Sequence, residues 1–225
     1  MGDFARSQRV WGWPGVMSDD HRALLLVERY PQLSETYIST EANGLGRAGL
    51  LAGIGAERPG KAPLDDPQPF TIVGDLDVDP AIAVRLSIDV GATVLHTHYL
   101  HMAPLVDAVA RGAGLTFTVR THSYDVLKAH PTVLRRLCDA INRSRCVGVL
   151  GFPFVCELLR HHGLREELLH ESWPVIDYQR FFDRSPNGSG VLNVGAALEK
   201  KNFPGYIDFA ATRADLRFSL YPIGY

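Results

Sequence analysis

Short, mainly apolar runs recur along the chain and alternate with segments of helical periodicity. The runs are residues 23–27, 70–73, 92–96, 115–119 and 146–150. Runs of this kind favour strands that are covered on both faces of a parallel sheet. Apolar residues at helical spacing lie between them, as at Ile38, Ala42 and Leu45. Strands that alternate with helices form right-handed βαβ units, so the pattern predicts an α/β fold with a Rossmann-like, three-layer arrangement around a mostly parallel sheet.

A stretch rich in Ser, Gly and Pro divides the chain near its C-terminal end. Residues 183–190 have the composition of a linker, and a further strand, helix and strand are predicted after it. A single βαβ unit cannot bury its own faces, so we expect it to be the incomplete start of a second Rossmann-like lobe. The predicted organisation is a leader segment (1–22), a first domain (23–182), the linker (183–190) and the incomplete start of a second domain (191–225).

Charge and composition exclude several classes of protein. The sequence has 23 Lys and Arg residues against 25 Asp and Glu residues, whereas a dedicated nucleic-acid-binding domain carries a basic excess. Its 46% hydrophobic content is too high for a disordered chain. No apolar run reaches the roughly 18 residues of a membrane-spanning helix, and the three cysteines lie in apolar stretches, as in reduced proteins. We therefore expect a cytoplasmic protein, and contact with the cytoplasmic face of a membrane stays open.

Polar residues cluster where the predicted strands end. The clusters are residues 28–35, 96–101, 120–125 and 195–202. Ligands of open parallel sheets bind outside the carboxyl ends of the strands, so these clusters predict a functional cleft. The sequence contains neither the glycine-rich phosphate loop of P-loop proteins nor the nucleophile elbow of α/β-hydrolases, which disfavours those two classes.

Histidines occupy two of these clusters. His96 and His98 are two residues apart, so in a strand both could face one metal ion; alternatively, His96 packs within the strand and His98 lines the mouth of the cleft. His122 follows another strand, where an imidazole can hydrogen-bond sugar hydroxyls or a leaving phosphate. Asp125 either fixes the tautomer of His122 or caps the following helix.

The first and last clusters contain further candidate binding residues. Ser34 is a predicted helix N-cap, and Glu35 either binds an acceptor hydroxyl or interacts with the helix dipole. Lys200 and Lys201 follow the strand end that contains Gly195, where two cations could neutralise a diphosphate. A Lys–Lys pair is also common on solvated surfaces, so the two interpretations stay open.

Four segments, in this order, resemble the bacterial family 4 glycosyltransferases of GT-B architecture. Residues 30–38 resemble the family's Phe-Pro-Gln-Leu-Ser-Glu-Thr-Phe-Ile opening, and residues 96–99 resemble its His-x-His-Phe strand end. Residues 121–125 resemble its Thr-x-His-x-x-Asp loop. Residues 194–203 resemble the Val-Gly-Arg-Leu-x-x-Lys-Lys-Gly-Phe start of its donor domain, and residues 174–181 are similar to the segment that crosses into that domain.

The resemblance implies transfer of a sugar from a nucleotide-sugar to a hydroxyl of a saccharide or lipid-linked acceptor, with retention at the anomeric carbon. It implies no metal or other cofactor, and a place in polysaccharide or glycolipid biosynthesis. The first domain would bind the acceptor and the second the nucleotide. The implied roles are catalysis by His122 and Asp125, substrate binding by Ser34, Glu35, His98 and Arg120, and donor diphosphate binding by Gly195, Lys200 and Lys201.

The sequence departs from the family pattern in the second lobe. Ala196 and Asn202 replace the family's Arg and Gly. Family members also carry two glutamates eight residues apart, and this sequence has no such pair. We therefore expect this chain by itself to transfer sugar poorly or not at all. Two alternatives stay open: a non-catalytic or regulatory half completed by a second polypeptide, and a metal-dependent hydrolase that uses His96, His98 and His122.

Overall fold

The chain forms two compact units, Met1–Asp177 and Tyr178–Tyr225. The computed structural model describes residues 21–32, 35–61, 68–174, 190–196 and 201–223. The predicted leader and linker, residues 1–22 and 183–190, lie almost entirely outside these ranges. Within them, no helix combines the length and apolar character that crossing a membrane requires.

Seven parallel strands form the sheet of the first unit. They are β1 (Ala23–Tyr30), β2 (Leu51–Pro59), β3 (Thr71–Ile72), β4 (Val94–His98), β5 (Thr116–Arg120), β6 (Cys146–Gly151) and β7 (Leu169–Glu171). Their order is β3-β2-β1-β4-β5-β6-β7, and every neighbouring pair is parallel. The helices described in this unit are α1 (Thr36–Arg47), α2 (Ala81–Asp89), α3 (Ala103–Ala113), α4 (Ser123–Leu127), α5 (Pro131–Asn142) and α6 (Pro153–His161). The predicted α/β, Rossmann-like fold is confirmed.

The apolar run in β1 contributes to both faces of the sheet. Leu25 shares one buried cluster with Ile38 of α1. Leu24 and Leu26 belong to a larger buried cluster that includes Val106 of α3. Alternate residues of a strand point to opposite faces of the sheet. Because helices cover both faces, β1 is apolar at consecutive positions rather than at every second one.

The sequence pattern does not predict β2. The proline-rich composition of residues 57–69 predicts a loop, which is wrong for its first three residues, because these continue β2 beside β1 and end with Pro59 opposite Tyr30. Pairing along β1 outweighs the local proline-rich composition. Proline is tolerated here because β3 pairs with β2 only at Gly55 and Ala56, so the end of β2 has no ladder partner on that side.

The sequence pattern also does not predict α2, β7 or α4. Among its residues, α2 buries only Ala83 and Ser87, so it lacks a clear apolar stripe. β7 has three residues, too few to show a periodicity. The short helix α4 occupies part of the 121–125 segment, which the pattern predicts as a loop.

The second unit contains one βαβ arrangement in the residues described. β8 (Gly190–Ala196) pairs in parallel with β9 (Arg217–Ile223), and α7 (Phe203–Ala211) lies between them along the chain. The side-chain oxygen of Asn202 caps α7 by accepting a hydrogen bond from the Gly205 N–H at 3.2 Å. β8 and β9 form a two-stranded sheet of their own.

Candidate functional site

The carboxyl ends of β4 and β5 and the start of α1 hold most of the predicted site residues of the first domain. Glu35 immediately precedes α1, His98 ends β4, Arg120 ends β5, and His122 immediately precedes α4. His98 and Arg120 are register partners in the sheet. The exposed fractions of His98, Arg120 and His122 are 1%, 5% and 8%. These three residues therefore belong to a buried polar cluster rather than to an open rim.

His98 and His122 form a close imidazole pair within this cluster. Their rings are nearly parallel, at 11°, and Nδ1 of His98 lies 3.1 Å from Nε2 of His122. The ring of Tyr37 packs on His122 with centroids 4.3 Å apart. Two acceptors cannot bond to each other, so one of the two facing nitrogens carries the proton of this hydrogen bond.

Glu41, which the sequence motifs do not single out, lies at the centre of the cluster. Its Oε1 is 3.4 Å from Nε2 of His96, and its Oε2 is 3.7 Å from Nε2 of His98. Nε of Arg120 donates to Oε2 at 2.8 Å. The Glu41 side chain is only 12% exposed, so this carboxylate is nearly enclosed by nitrogen-bearing side chains.

The position of Glu41 on α1 is the signal that could have found it. Ile38, Glu41, Ala42 and Leu45 have the i, i+3, i+4, i+7 spacing of one helix face. Ile38 and Ala42 are buried, so a carboxylate between them is carried into the interior. A buried charge needs partners there, and an acidic residue within an apolar stripe therefore indicates a buried polar site.

Arg120 joins the Glu41 carboxylate to the segment after β7. Its Nη1 donates to the Ser172 hydroxyl at 3.1 Å and to the Trp173 carbonyl oxygen at 3.4 Å, while Nη2 lies 3.5 Å from Oε1 of Glu41. All three guanidinium nitrogens thus contact acceptors of the protein itself. In this arrangement Arg120 links α1, β5 and the end of β7, and its predicted substrate-binding role stays a prediction.

Electrostatics favour a charged Glu41 beside neutral imidazoles. Burial by itself would favour the neutral carboxyl, but His96, His98 and Arg120 outweigh it and hold the pKa of Glu41 well below its ordinary value. Burial and the neighbouring His96 lower the pKa of His98. Burial and the charge of Arg120 lower the pKa of His122 to about 4. At neutral pH His98 and His122 are therefore uncharged.

A second polar group surrounds Glu35 at the start of α1. The Tyr99 hydroxyl donates to Oε1 of Glu35 at 2.8 Å and also contacts the Tyr37 hydroxyl. Tyr99 has φ 70° and ψ 133°, a conformation that costs a bulky L-residue on the order of 1–3 kcal/mol. Burial raises the pKa of Glu35. The protein therefore maintains a strained residue whose hydroxyl lies between a half-buried carboxyl and a second phenol.

A small cavity opens beside Glu35. Its volume is about 130 Å³, and its wall includes His98 and Tyr99. The polar residues from the end of β1 and the start of α1 that line it are Glu28, Arg29, Gln32 and Glu35. Charged and amide groups at this density suit a ligand with hydroxyl or ionic groups better than an apolar one.

The carboxylate of Asp125 contacts the main chain. Oδ1 accepts a hydrogen bond from the His122 N–H at 2.8 Å, and Oδ2 accepts one from the Leu100 N–H at 2.7 Å. Asp125 and His122 form a capping box at the start of α4. These contacts are those of the helix-capping alternative, and they also tie the turn after β4 to α4. The catalytic role implied for Asp125 stays a prediction.

Three donor atoms of the cluster could hold a metal ion. Glu41, His96 and His98 each offer one donor, and these atoms lie within 4.8 Å of one another. Arg120 already donates to the same carboxylate, so a divalent ion would add uncompensated positive charge to a buried site. The arrangement favours the guanidinium as the cation that balances Glu41. The hydrolase alternative also requires His122. This residue contacts Nδ1 of His98, whereas Nε2 is the nitrogen of His98 that faces Glu41.

The remaining predicted residues lie outside this cluster. Ser34 and Lys200 fall outside the described residues. Gly195 lies in β8 and Lys201, which is exposed, comes two residues before α7. Both belong to the second unit, and their predicted contact with a diphosphate stays a prediction.

Solved structures of one protein resemble this chain. HepE from Anabaena, in complex with UDP and glucose, aligns with a TM-score of 0.66 at 15% identity over 89% of this chain and 61% of HepE. The chain shares the fold of HepE. The complex with UDP gives a TM-score of 0.67 at 16% identity, over 88% of this chain and 60% of HepE. The complex with UDP-glucose gives 0.55 at 14% identity, over 91% and 69%.

The similarity covers only part of the length of HepE. The chain spans 61% of the length of HepE in the complex with UDP and glucose. No protein-family model matches the sequence, and no curated protein sequence matches it.

Proposed function

We propose that this chain is the acceptor-binding lobe and the beginning of the donor lobe of a GT-B glycosyltransferase. It serves the transfer of a sugar from a nucleotide-sugar to a hydroxyl of a saccharide or lipid-linked acceptor, with retention, in polysaccharide or glycolipid synthesis. The observation that carries this proposal is the fold shared with HepE, whose complexes contain UDP, glucose and UDP-glucose. UDP-glucose is a nucleotide-sugar, and transfer from it releases UDP and leaves the glucosyl group on the acceptor oxygen.

The extent of the similarity supports a two-lobed arrangement. It covers 89% of the chain, which is more than the first unit alone contains. The second unit begins with the strand and helix that, in the family resemblance, open the donor domain. We assign the nucleotide to this lobe, with Lys200 and Lys201 balancing the diphosphate in place of a metal ion.

The first unit supplies the acceptor side in this proposal. The cavity beside Glu35 has the polar lining that a hydroxyl-rich acceptor requires. One oxygen of the Glu35 carboxyl accepts from Tyr99, and a carboxyl group has a second oxygen with which to accept from a substrate hydroxyl. We assign acceptor binding to Glu35 and contact with the transferred sugar to His122.

Titrating the purified chain with UDP and then UDP-glucose tests the assignment of the nucleotide. Amide NMR signals of residues 195–203 should shift, and the shifts should weaken at least severalfold in a Lys200→Gln, Lys201→Gln double variant. Lys61→Gln, which removes a lysine from the first unit, is the matched control and should behave like the wild type. Shifts that are absent, or that do not depend on the two lysines, would contradict the assignment.

A radiolabelled sugar-transfer assay tests the reaction itself. With broad saccharide acceptors, the isolated chain should show weak transfer or none. Any product that does form should keep the anomeric configuration of the donor. Robust turnover by the isolated chain would contradict the expectation that it is nearly inactive by itself, and an inverted product would contradict retention.

A metal-dependent hydrolase is the second candidate, because Glu41, His96 and His98 converge. Metal analysis of the purified protein after dialysis against zinc separates the two functions. The hydrolase requires about one zinc ion per chain, lost in His96→Gln. The glycosyltransferase proposal expects no stoichiometric metal at this cluster, because Arg120 balances the carboxylate.

A further inference from the structure

Two buried imidazole nitrogens face one carboxylate in the cluster. Nε2 of His96 and Nε2 of His98 have no hydrogen-bond partner among the described residues, and they lie 3.4 and 3.7 Å from the two oxygens of Glu41. A nitrogen without a proton would point its lone pair at the negative oxygen, which is repulsive. A protonated nitrogen points an N–H dipole at it, which is attractive, and the low local dielectric strengthens both effects. Both Nε2 atoms therefore carry the proton.

This choice determines the roles of the other ring nitrogens. A neutral imidazole has one N–H, so Nδ1 of the uncharged His98 becomes an acceptor. Nδ1 of His96 lies 2.7 Å from the Thr118 hydroxyl, which can donate to it. Nδ1 of His98 lies 3.1 Å from Nε2 of His122, so His122 must be the donor. His122 is then protonated on Nε2 and bare on Nδ1.

We propose that Glu41 is a positioning residue that sets the proton arrangement of His98 and, through it, of His122. The main chain of His122 is held by Asp125, and its ring is covered by Tyr37. Glu41 adds the third constraint, because it determines which nitrogen of His98 can accept from His122. Arg120 keeps the carboxylate in place through the 2.8 Å contact with Oε2. The contact of His122 with the transferred sugar rests on the proposed function, whereas the proton arrangement of the histidines does not.

Long-range 1H–15N NMR correlations of the imidazole rings test the arrangement directly, since they distinguish protonated from bare ring nitrogens. In the wild type at neutral pH, His98 and His122 should each show a single tautomer protonated on Nε2, and Nε2 of His96 should carry a proton. A bare Nε2 of His96, or a proton on Nδ1 of His98, would overturn the inference. So would zinc bound at about one ion per chain through bare Nε2 atoms.

Glu41→Gln gives the sharpest variant. The Arg120 guanidinium has donors only, so the amide oxygen must take the position 2.8 Å from Nε of Arg120. The amide NH2 then takes the position 3.4 Å from Nε2 of His96, where two donors would meet. His96 should respond by moving its proton to Nδ1 and donating to Thr118, while His98 and His122 keep theirs. A reversal at one histidine out of three is not what general loosening of the cluster would produce.

His98→Phe tests the second link, because phenylalanine keeps a ring but removes the acceptor for His122. Nε2 of His122 should lose its hydrogen-bond acceptor and its 15N shift should move, while the capping box with Asp125 keeps the proton off Nδ1. Glu57→Gln is the matched control: Glu57 is another buried carboxylate, 7% exposed, which accepts from the Leu76 N–H. All three imidazoles should be unchanged in this variant.

Unchanged His96 signals in Glu41→Gln, or unchanged His122 signals in His98→Phe, would overturn the inference. If Glu41→Gln does not fold, the wild-type spectrum and His98→Phe still decide it. No sugar or nucleotide is present in these experiments. Their failure would therefore leave the proposed sugar transfer untouched, and the failure of sugar transfer would leave the tautomers as assigned.

Discussion

Replacing Arg120 with methionine should destabilise the first unit strongly. Methionine keeps much of the apolar volume but removes the cation that contacts Glu41 and the donors to Ser172 and Trp173. The side chains of Arg120 and Glu41 are 6% and 12% exposed. Removing one partner of a buried ion pair leaves an uncompensated charge and costs about 3–5 kcal/mol. We expect a loss of this size in the free energy of unfolding.

Urea unfolding at pH 7, followed by circular dichroism, measures this loss. Arg111→Met is the matched control, because Arg111 contacts Asp107 at the same 2.8 Å distance but its side chain is 56% exposed. An exposed pair of this kind is worth about 0–1 kcal/mol. The two arginine variants should therefore differ by several kilocalories per mole, although both remove one ion pair.

A double variant separates the cost of an unpaired charge from general loss of packing. Glu41→Gln in the Arg120→Met background removes the uncompensated carboxylate, so the double variant should be more stable than Arg120→Met alone. An Arg120→Met loss below about 1 kcal/mol would refute the reasoning, since a buried pair cannot be that weak when one partner is removed. A double variant with the sum of both single losses would refute it as well.

Three further predictions follow from the shifted pKa values. The pKa of His122 is about 4 in the folded chain and about 6.5 when unfolded, so the unfolded state binds protons first as the pH falls. The unfolding free energy should decrease between about pH 6.5 and pH 4, and His122→Asn should flatten this dependence; an equally steep profile in the variant would argue against it. Burial raises the pKa of both Cys138 and Cys146 to about 11, so iodoacetamide at pH 8 should label these thiols at least a hundredfold more slowly in the native chain than in urea. Rapid native labelling would contradict their burial. Tyr99→Phe removes the hydrogen bond that lowers the pKa of Glu35 against the effect of burial; the carboxyl pKa, followed by 13C NMR, should therefore rise, and an unchanged or lower pKa would show that this bond does not stabilise the carboxylate.

Particular residues show how far the sequence could lead toward the site. His98, Arg120 and His122 lie together, as their positions after predicted parallel strands suggested. The strand pattern places such residues correctly because the carboxyl ends of parallel strands meet at one edge of the sheet. The partners of those residues could not be obtained in this way. Arg120 is satisfied by Glu41, which lies 79 residues away along the chain.

The structure also shows contacts and conformations that the sequence left open. Asp125 could cap a helix or orient His122, and the contacts described are with main-chain N–H groups. Nothing in the sequence indicates the positive φ of Tyr99, a residue whose hydroxyl contacts Glu35 and Tyr37, both more than 60 residues away along the chain. The Glu57–Pro59 segment has the composition of a loop, yet it pairs with β1 because a neighbouring strand offers hydrogen bonds there.

The sequence by itself determined the α/β class and the parallel sheet, because a strand covered on both faces needs apolar residues at consecutive positions, and this is visible in a few neighbouring residues. It also determined which polar segments follow the strands. Only the tertiary structure decided that Glu41 is their common partner, that Arg120 balances its charge, and which imidazole nitrogens face it. Those facts depend on where α1 packs against β4 and β5, and such packing joins residues whose separation along the chain carries no local signal.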